Sequence, residues 1–274
     1  MLTAPIQISY IGYLGTMGAK YYDYLIADMI MIPKENQKHY TEKIAYLPSY
    51  QVNDSKDSPP DITFTRMDLG LPEEGFVFCC FNNTYKITPT VFDSWAKILK
   101  QVNGSVLFTF ADNEAAEKNL KKEIIFRGVS PDRLIFAKRL PRLEYLARYR
   151  VADLFLDTSP YNAGTTASDS LRMGLPVLTL KGNSYPSRMA ASILNAANLP
   201  ELITTTQEEY ESLAIELATV PEKLKIIKNK LESNLSITPL YNTPMFTKHL
   251  ESAFRKMYER YQQGSDIDHI YVEH

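Results

Sequence analysis

One segment, residues 152–182, constrains the fold of this chain more than any other. Residues 152–157 form a short apolar run of the length that a buried parallel strand needs. A polar loop separates this run from a helix, which should end close to Gly174 and Pro176. Residues 177–180 then predict a second strand. This order is typical of a βαβ unit, in which the helix connects two parallel strands.

The predicted helix begins at two adjacent threonines, Thr165 and Thr166. Asp169 lies three residues after Thr166, which gives the pattern of a capping box with Asp in the place of Glu. A helix N-terminus at the carboxyl end of a parallel strand offers free N–H groups and a partial positive charge to phosphate. Two interpretations follow: either a nucleotide diphosphate binds at residues 164–166, or Thr166 only caps its helix.

The composition narrows the classes of protein that this chain fits. The net charge of −2 and the pI near 6.1 argue against extensive binding to the phosphate backbone of a nucleic acid. No apolar run reaches membrane-spanning length, and residues 1–20 lack the basic start of a signal peptide. The two cysteines, Cys79 and Cys80, are adjacent and cannot cross-link distant segments, which favours a reducing compartment. We therefore expect a soluble cytoplasmic α/β protein that partners neither nucleic acid nor membrane.

The pattern of strands and helices divides the chain into four parts. Residues 1–50 hold three short strands with little helix, so we expect them to be the end of an N-terminal domain. Residues 51–74 have the polar and Pro-containing composition of a linker. Residues 75–264 alternate five strands with helices and end in a helical run, which predicts a Rossmann-like doubly wound parallel sheet. Residues 265–274 are predicted to form a polar tail.

The common cofactor motifs are missing from the sequence. It contains neither the glycine fingerprint of dinucleotide-binding folds nor a phosphate-binding P-loop. The four histidines form no pair at metal-ligand spacing, and one acidic pair, Asp266 and Asp268, falls in the predicted tail. We therefore expect no cofactor and no metal.

Three cationic residues follow predicted strands on the side where a ligand would bind. Lys86 follows the first strand of the regular α/β part, and Arg142 and Arg148 follow the third; Arg188 is a weaker candidate. A cation at this edge would neutralise a leaving diphosphate, which is the largest electrostatic demand of glycosyl transfer without a metal. Tyr145 lies between the two arginines and either stacks on a base or packs into the core.

Three motifs stand in order along the chain: FCCFNNTYKITP at residues 78–89, DTSPYNAGTTASDSLRMGLPVLTL at residues 157–180 and SRMAASILNAANLPEL at residues 187–202. Together they resemble the O-GlcNAc transferase/SPINDLY family of protein O-glycosyltransferases, particularly its bacterial members. The resemblance extends from Ala4 to His269 and so covers almost the whole chain.

The resemblance implies the C-terminal half of a GT-B glycosyltransferase, in which two Rossmann-like domains face a cleft. It also implies an inverting, metal-independent transfer of a sugar, GlcNAc from UDP-GlcNAc, to Ser or Thr hydroxyls of a protein acceptor. Family members carry tetratricopeptide repeats and a complete N-terminal catalytic domain, of which residues 1–50 match only the final segment. The chain would then supply the donor-binding half and partner the missing domain and repeats or another copy of itself.

The resemblance also assigns roles to individual residues. Lys86 matches the catalytic lysine that stabilises the departing diphosphate, and Thr165 and Thr166 match phosphate-binding threonines. Asp169 matches the acid that holds the ribose. The nucleotide-sugar-binding set that the resemblance implies is Asn83, Tyr85, Leu140, Arg142, Tyr145, Arg148, Tyr161, Gly164, Thr165, Thr166 and Asp169.

Several departures from the family pattern leave the donor open. Tyr145 stands in place of a histidine that stacks on uracil, and Gly164 in place of a second histidine. Leu14 replaces a proline and Tyr161 a smaller residue near the sugar. GDP-fucose, the donor of plant SPINDLY members, is therefore an alternative. A truncated nucleotide-binding module without transfer is another, and a nucleotide-sugar hydrolase or epimerase, which needs acid and base groups in the cleft, ranks last.

Overall fold

The computed structural model of the protein describes residues 4–13, 15–53 and 59–273, so that Leu14, His274 and residues 54–58 of the predicted linker lie outside the described residues. Two parallel sheets organise this part of the chain. Each helix within it is too short or too polar to cross a lipid bilayer.

The larger sheet has six parallel strands. Their bounds are Val77–Cys80 (β4), Val106–Phe110 (β5), Leu134–Ala137 (β6), Leu154–Leu156 (β7), Val177–Leu180 (β8) and Ile203–Thr204 (β9). The sequence predicted five of them, and the sixth, β9, extends the edge next to β8. A strand of two residues is too short to show the alternation or the apolar run by which strands are recognised.

The order of these strands places a switch point in the middle of the sheet. The order is β6-β5-β4-β7-β8-β9, so the chain builds outward from β4 in one direction and from β7 in the other. In open α/β sheets ligands bind outside the carboxyl ends of the strands at this point. The edge between β4 and β7 is therefore where a ligand is expected.

Eight α-helices surround the sheets in the described part of the chain. Their bounds are Pro89–Gln101 (α1), Glu114–Phe126 (α2), Arg142–Ala147 (α3), Thr165–Arg172 (α4), Met189–Ala196 (α5), Gln207–Thr219 (α6), Pro221–Asn234 (α7) and Thr243–Gln262 (α8). The predicted start of α1 is confirmed, because the hydroxyl of Thr88 accepts from Val91 N and Pro89 is the first helical residue. The predicted end of α4 is also confirmed, since Gly174 follows it with a φ of 77° that favours glycine.

The core face of α1 carries the largest buried side chain of this helix. Trp95 is fully buried, and its Nε1 donates to the hydroxyl of Tyr210 on α6 at 3.1 Å. That hydroxyl in turn donates to the backbone carbonyl of Asp157, directly after β7, at 3.0 Å. The contact between α1 and α6 thus reaches the carboxyl end of the central strand.

The smaller sheet is built from both ends of the chain. It contains Ile8–Ser9 (β1), Tyr24–Ala27 (β2), Lys43–Tyr46 (β3) and Ile270–Tyr271 (β10), in the order β1-β2-β3-β10. Residues 265–274, predicted as a tail, thus include a strand that pairs with β3, and His269 Nδ1 accepts from Ile44 N at 2.9 Å. The buried side chain of Ile270 packs into the apolar cluster that α8 forms with this sheet, and this burial stabilises the pairing of β10 with β3.

Buried polar contacts join the two sheets. The guanidinium of Arg188, directly before α5, donates from Nε to the carbonyl of Met31 at 2.8 Å. The buried carboxylate of Asp28, after β2, accepts from the hydroxyl of Ser192 on α5 and from Tyr50 N. Burial raises the pKa of this carboxyl, while these donors lower it. One set of buried side chains from residues 24–50 belongs to the same core as the larger sheet, and the other set packs with α8.

Tyr210→Phe is expected to destabilise the protein by about 1–3 kcal/mol, because Trp95 Nε1 loses its acceptor and the Asp157 carbonyl loses a donor inside the core. Urea unfolding should show a lower midpoint with an unchanged slope. Tyr258→Phe makes the same chemical change on the exposed side of α8 and serves as the control. Equal stability of the two variants would contradict this account of the core.

Candidate nucleotide-sugar site

Three loops meet at the carboxyl edge of the larger sheet. Residues 81–88 follow β4, residues 138–141 connect β6 to α3, and residues 157–164 connect β7 to α4. The predicted nucleotide-sugar-binding residues and Lys86 lie in these loops, in α3 and α4, or, for Arg148, at the start of the 3₁₀ helix after α3. The weaker candidate Arg188 lies apart from them, after β8 and directly before α5.

Lys86 is held at this edge by two contacts from the loop after β7. Its Nζ donates to the backbone carbonyl of Asn162 at 3.0 Å and lies 4.1 Å from the centre of the Tyr161 ring. Burial lowers the pKa of the lysine, whereas the neighbouring Asp157 raises it. The ammonium is thus partly withdrawn from water, where a charge acts more strongly on a nearby anion.

The start of α4 is tied to the loop after β4. Gly164 is the N-cap residue of the helix and Thr165, the first helical residue, is exposed. Thr166 donates through its hydroxyl to Oδ1 of the buried Asn82. The first N–H groups of a helix have no partner within it, so they are available to an anion.

The predicted capping box at α4 is wrong. No side chain caps this helix, and its start at Thr165 makes Thr166 the second helical residue. The carboxylate of Asp169 instead forms a two-fold hydrogen bond with the guanidinium of Arg142, with both N–O distances at 2.7 Å. A planar guanidinium matches both oxygens of a carboxylate, so this pairing outcompetes the backbone N–H as a partner.

Arg142 and Asp169 differ sharply in exposure. The Asp169 side chain is 2% exposed, while that of Arg142 is 52% exposed. The buried carboxylate is therefore neutralised by a guanidinium of which about half stays exposed to solvent.

Arg148 lies beneath the surface of the site. Its guanidinium is 3.9 Å from the centre of the Phe81 ring and 4.5 Å from that of Tyr145, and it donates to the carbonyl of Lys138 at 3.0 Å. Burial lowers the pKa of this arginine. Its Nε has no hydrogen-bond partner among the described residues. The expectation of a cation on the ligand side thus applies to Arg142 more than to Arg148.

Tyr145 is half-buried, and its ring lies over the guanidinium of Arg148. Its hydroxyl exchanges a 2.6 Å hydrogen bond with that of Tyr149, and the Arg142 guanidinium lies 5.5 Å from its ring centre. Leu140 and Arg148 line a cavity of about 320 Å³. Tyr145 therefore packs against Tyr149 and Arg148, and its stacking on a base stays a prediction.

The remaining predicted residues present their side chains to solvent. Tyr85 is 70% exposed and meets Tyr161 edge to face, with ring centres 6.2 Å apart. Asn83 is exposed at the start of a short 3₁₀ helix that ends at Lys86. Of these side chains, Tyr161 contacts the lysine directly, and Tyr85 contacts Tyr161 in turn.

Asp157 is the residue that sequence reasoning missed. Its carboxylate is buried and accepts four hydrogen bonds, whose donors are Thr158 N, Ala163 N, Asn82 Nδ2 and Thr179 Oγ1. Burial raises its pKa to about 6, against the lowering effects of these donors and of Lys86. An acidic residue that closes an apolar strand was the available signal.

No group of three or more His, Cys, Asp or Glu residues within the described ranges has the arrangement of a metal site.

Comparison with known proteins gives a consistent result over nearly the whole chain. The sequence profile of glycosyl transferase family 41 matches residues 1–60 and 50–250. A probable UDP-N-acetylglucosamine--peptide N-acetylglucosaminyltransferase SEC of Arabidopsis thaliana is 36% identical, over 99% of this chain and 29% of its own length. A probable SPINDLY enzyme of Hordeum vulgare, with the same activity in its name, is 32% identical over 95% of this chain and 28% of its own.

Solved structures agree with these relatives. A K341M mutant of the Thermobaculum terrenum O-GlcNAc transferase superposes with a TM-score of 0.84 and 32% identity, covering 93% of this chain and 48% of that one. Sucrose-phosphate synthase of Thermosynechococcus elongatus shares the fold at 15% identity, with a TM-score of 0.62 over 88% of this chain and 59% of its own. This chain spans less than a third of the length of the curated relatives named above.

Arg142→Ala is expected to destabilise the protein by about 2 kcal/mol, because it leaves the buried carboxylate of Asp169 without its partner. Arg139→Ala removes the same charge from an exposed neighbour and is the control. Urea unfolding of both variants measures the difference. A loss no larger for Arg142→Ala than for Arg139→Ala would show that Asp169 does not depend on the pair.

Proposed function

The chain belongs to glycosyl transferase family 41, and we propose that it provides the donor-binding half of an enzyme that transfers GlcNAc from UDP-GlcNAc to Ser or Thr hydroxyls of proteins. The observation that carries this proposal is the convergence of Lys86 and the N-terminus of α4 at the switch point of a GT-B half. The relatives named above supply the substrate class, since each is named as an N-acetylglucosaminyltransferase acting on peptide.

The proposed reaction requires stabilisation of a leaving diphosphate. The acceptor oxygen attacks the anomeric carbon from the face opposite the diphosphate, so that the configuration inverts. The bond to the β-phosphate oxygen breaks, and the bonding pair leaves as negative charge on that oxygen. The acceptor hydroxyl gives its proton to solvent water in the same process, which balances the step. Donors aimed at the developing charge lower the barrier most.

Lys86 and α4 have the properties that this step demands. The ammonium of Lys86 is half-buried and fixed by the Asn162 carbonyl and the Tyr161 ring. The free N–H groups at the start of α4 add a second source of positive potential without a proton to lose. These two sources give the diphosphate its countercharge within the protein, which supports donor binding without a metal.

The remaining residues at the edge are proposed to hold the nucleoside. Tyr145 and Leu140 would contact the base, because Leu140 lines the cavity beside Arg148 and the Tyr145 ring lies against Arg148. Arg142 and its partner Asp169 would contact the ribose, because they form an ion pair next to the Tyr145 ring. Asn83, Tyr85 and Tyr161 are proposed to face the sugar, since Tyr161 contacts Lys86, Tyr85 contacts Tyr161, and Asn83 begins the short helix that ends at Lys86. Arg148 would act from below by supporting Tyr145.

Titration calorimetry of the chain with UDP and with GDP, in the absence of metal, tests the proposed donor site. We expect micromolar binding of UDP and much weaker binding of GDP. Lys86→Ala should weaken UDP binding by about tenfold or more, because a charge-assisted contact to phosphate is lost. Lys122→Ala, on the exposed face of α2, should leave the affinity unchanged.

The opposite outcomes have distinct meanings. Preference for GDP over UDP would favour the GDP-fucose alternative. Absence of binding by either nucleotide would refute the donor site in this chain.

A second prediction separates catalysis from binding. In any preparation that transfers sugar, Lys86→Ala should lower turnover by about a hundredfold, more than it lowers donor affinity, because its charge acts most strongly on the transition state. Steady-state rates at saturating donor give the first quantity and calorimetry the second. Equal losses in turnover and affinity would refute a specific role in the departure of the diphosphate.

A further inference from the structure

A buried carboxylate connects the two parts of the proposed diphosphate site. Asp157 lies directly after β7, at the centre of the switch point, and is 1% exposed. Its four donors come from its own loop, from the loop after β4 and from β8. Asp157 can therefore affect a bound nucleotide through the residues around it, without contacting the nucleotide itself.

One set of contacts leads from Asp157 to Lys86. Oδ1 accepts from Thr158 N at 2.8 Å and from Ala163 N at 2.7 Å, which closes the loop between them into a ring around the carboxylate. Asn162 Nδ2 donates to the carbonyl of Thr158 at 2.7 Å and fixes the far side of this loop. The backbone carbonyl of Asn162 is the group that accepts from Lys86 Nζ. The position of the ammonium therefore follows from the loop that the carboxylate closes.

A second set of contacts leads from Asp157 to the start of α4. Asn82 Nδ2 donates to Asp157 Oδ1 at 3.2 Å and to Thr158 Oγ1 at 2.7 Å. An amide whose nitrogen faces these two acceptors presents its oxygen on the opposite side. That oxygen accepts the hydroxyl of Thr166. The orientation of Asn82, and with it the second residue of α4, follows from the acceptor character of the carboxylate.

The charge of Asp157 also acts on Lys86 directly. Burial alone would lower the pKa of Lys86, and the negative charge of Asp157 opposes this change. Three titratable groups face the carboxylate from the surrounding elements: Lys86 from the loop after β4, Cys80 from β4 and Tyr210 from α6. Lys86 is the cationic member of these three. Removal of the carboxylate charge should therefore make Lys86 easier to deprotonate.

We propose, as an extension of the donor site proposed above, that Asp157 is the positioning residue of that site, which sets Lys86 and Thr166 in place and directs a negative charge toward the Lys86 ammonium. Asp157 itself touches neither the donor nor the acceptor. Asn82 connects Asp157 to Thr166 by hydrogen bonds and, unlike Asp157, carries no charge. Asp157 and Asn82 therefore differ in charge, so substituting each in turn separates the effect of the charge from that of the hydrogen bonds.

The test is the affinity for UDP as a function of pH, measured by calorimetry on the whole chain with Asp157→Asn, Asn82→Ala and the unaltered protein. Asp157→Asn should weaken binding about tenfold near neutral pH and move the alkaline loss of affinity to lower pH, because the carboxylate charge no longer opposes deprotonation of Lys86. Asn82→Ala should weaken binding without moving the alkaline loss. Ionisation of the uracil ring contributes equally to every curve, so differences between variants report on the protein.

Asp266→Asn is the matched control, because it removes an exposed carboxylate from the segment before β10 and should change neither quantity. The proposal is overturned if folded Asp157→Asn binds UDP as the unaltered chain does, or if its alkaline loss stays in place. If Asp157→Asn does not fold, unchanged affinity of Asn82→Ala still overturns the positioning of Thr166. Absence of UDP binding by the unaltered chain would refute the donor site itself, which is a different result.

Discussion

The hydrogen bonds accepted by the Asp157 carboxylate are the interaction on which the rest of the site depends. A charge with almost no exposure is tolerated only when several donors satisfy it, and here they come from β8, from the loop after β4 and from both ends of its own loop. Each donor thereby fixes the segment that carries it. The sheet supplies the framework, and this one carboxylate sets the geometry of its carboxyl edge.

The charges of the site are arranged in layers around this centre. Lys86 lies above the carboxylate and faces the cleft, and Arg142 neutralises the buried Asp169 farther along the edge. Arg148 is buried between the rings of Phe81 and Tyr145 and stabilises their positions through contacts with both. Positive charge therefore faces the position proposed for the diphosphate, while the negative groups lie below the surface. The same core continues into the smaller sheet through Arg188 and Asp28.

Local patterns in the sequence predicted the elements that depend on local physics. The alternation of residues 75–264, the start of α1 at Thr88 and the end of α4 at Gly174 agree with the structure. The two-residue strands β9 and β10 were missed, because pairing of Ile270 with Ala45 leaves no trace in either segment. The Arg142–Asp169 pair joins residues 27 positions apart, so their charges were visible and their contact was not. The ligand roles of the predicted residues stay predictions.

A crystal structure of this chain with UDP would test the proposed donor site most directly. We expect the diphosphate at the edge between β4 and β7, with a phosphate oxygen within hydrogen-bonding distance of Lys86 Nζ and of the first N–H groups of α4. A second groove, of about 910 Å³, lies between Arg66 and Lys228 beside Gly75, at the amino end of the same sheet. UDP bound in that groove, with Lys86 still on the carbonyl of Asn162, would contradict the proposed donor site.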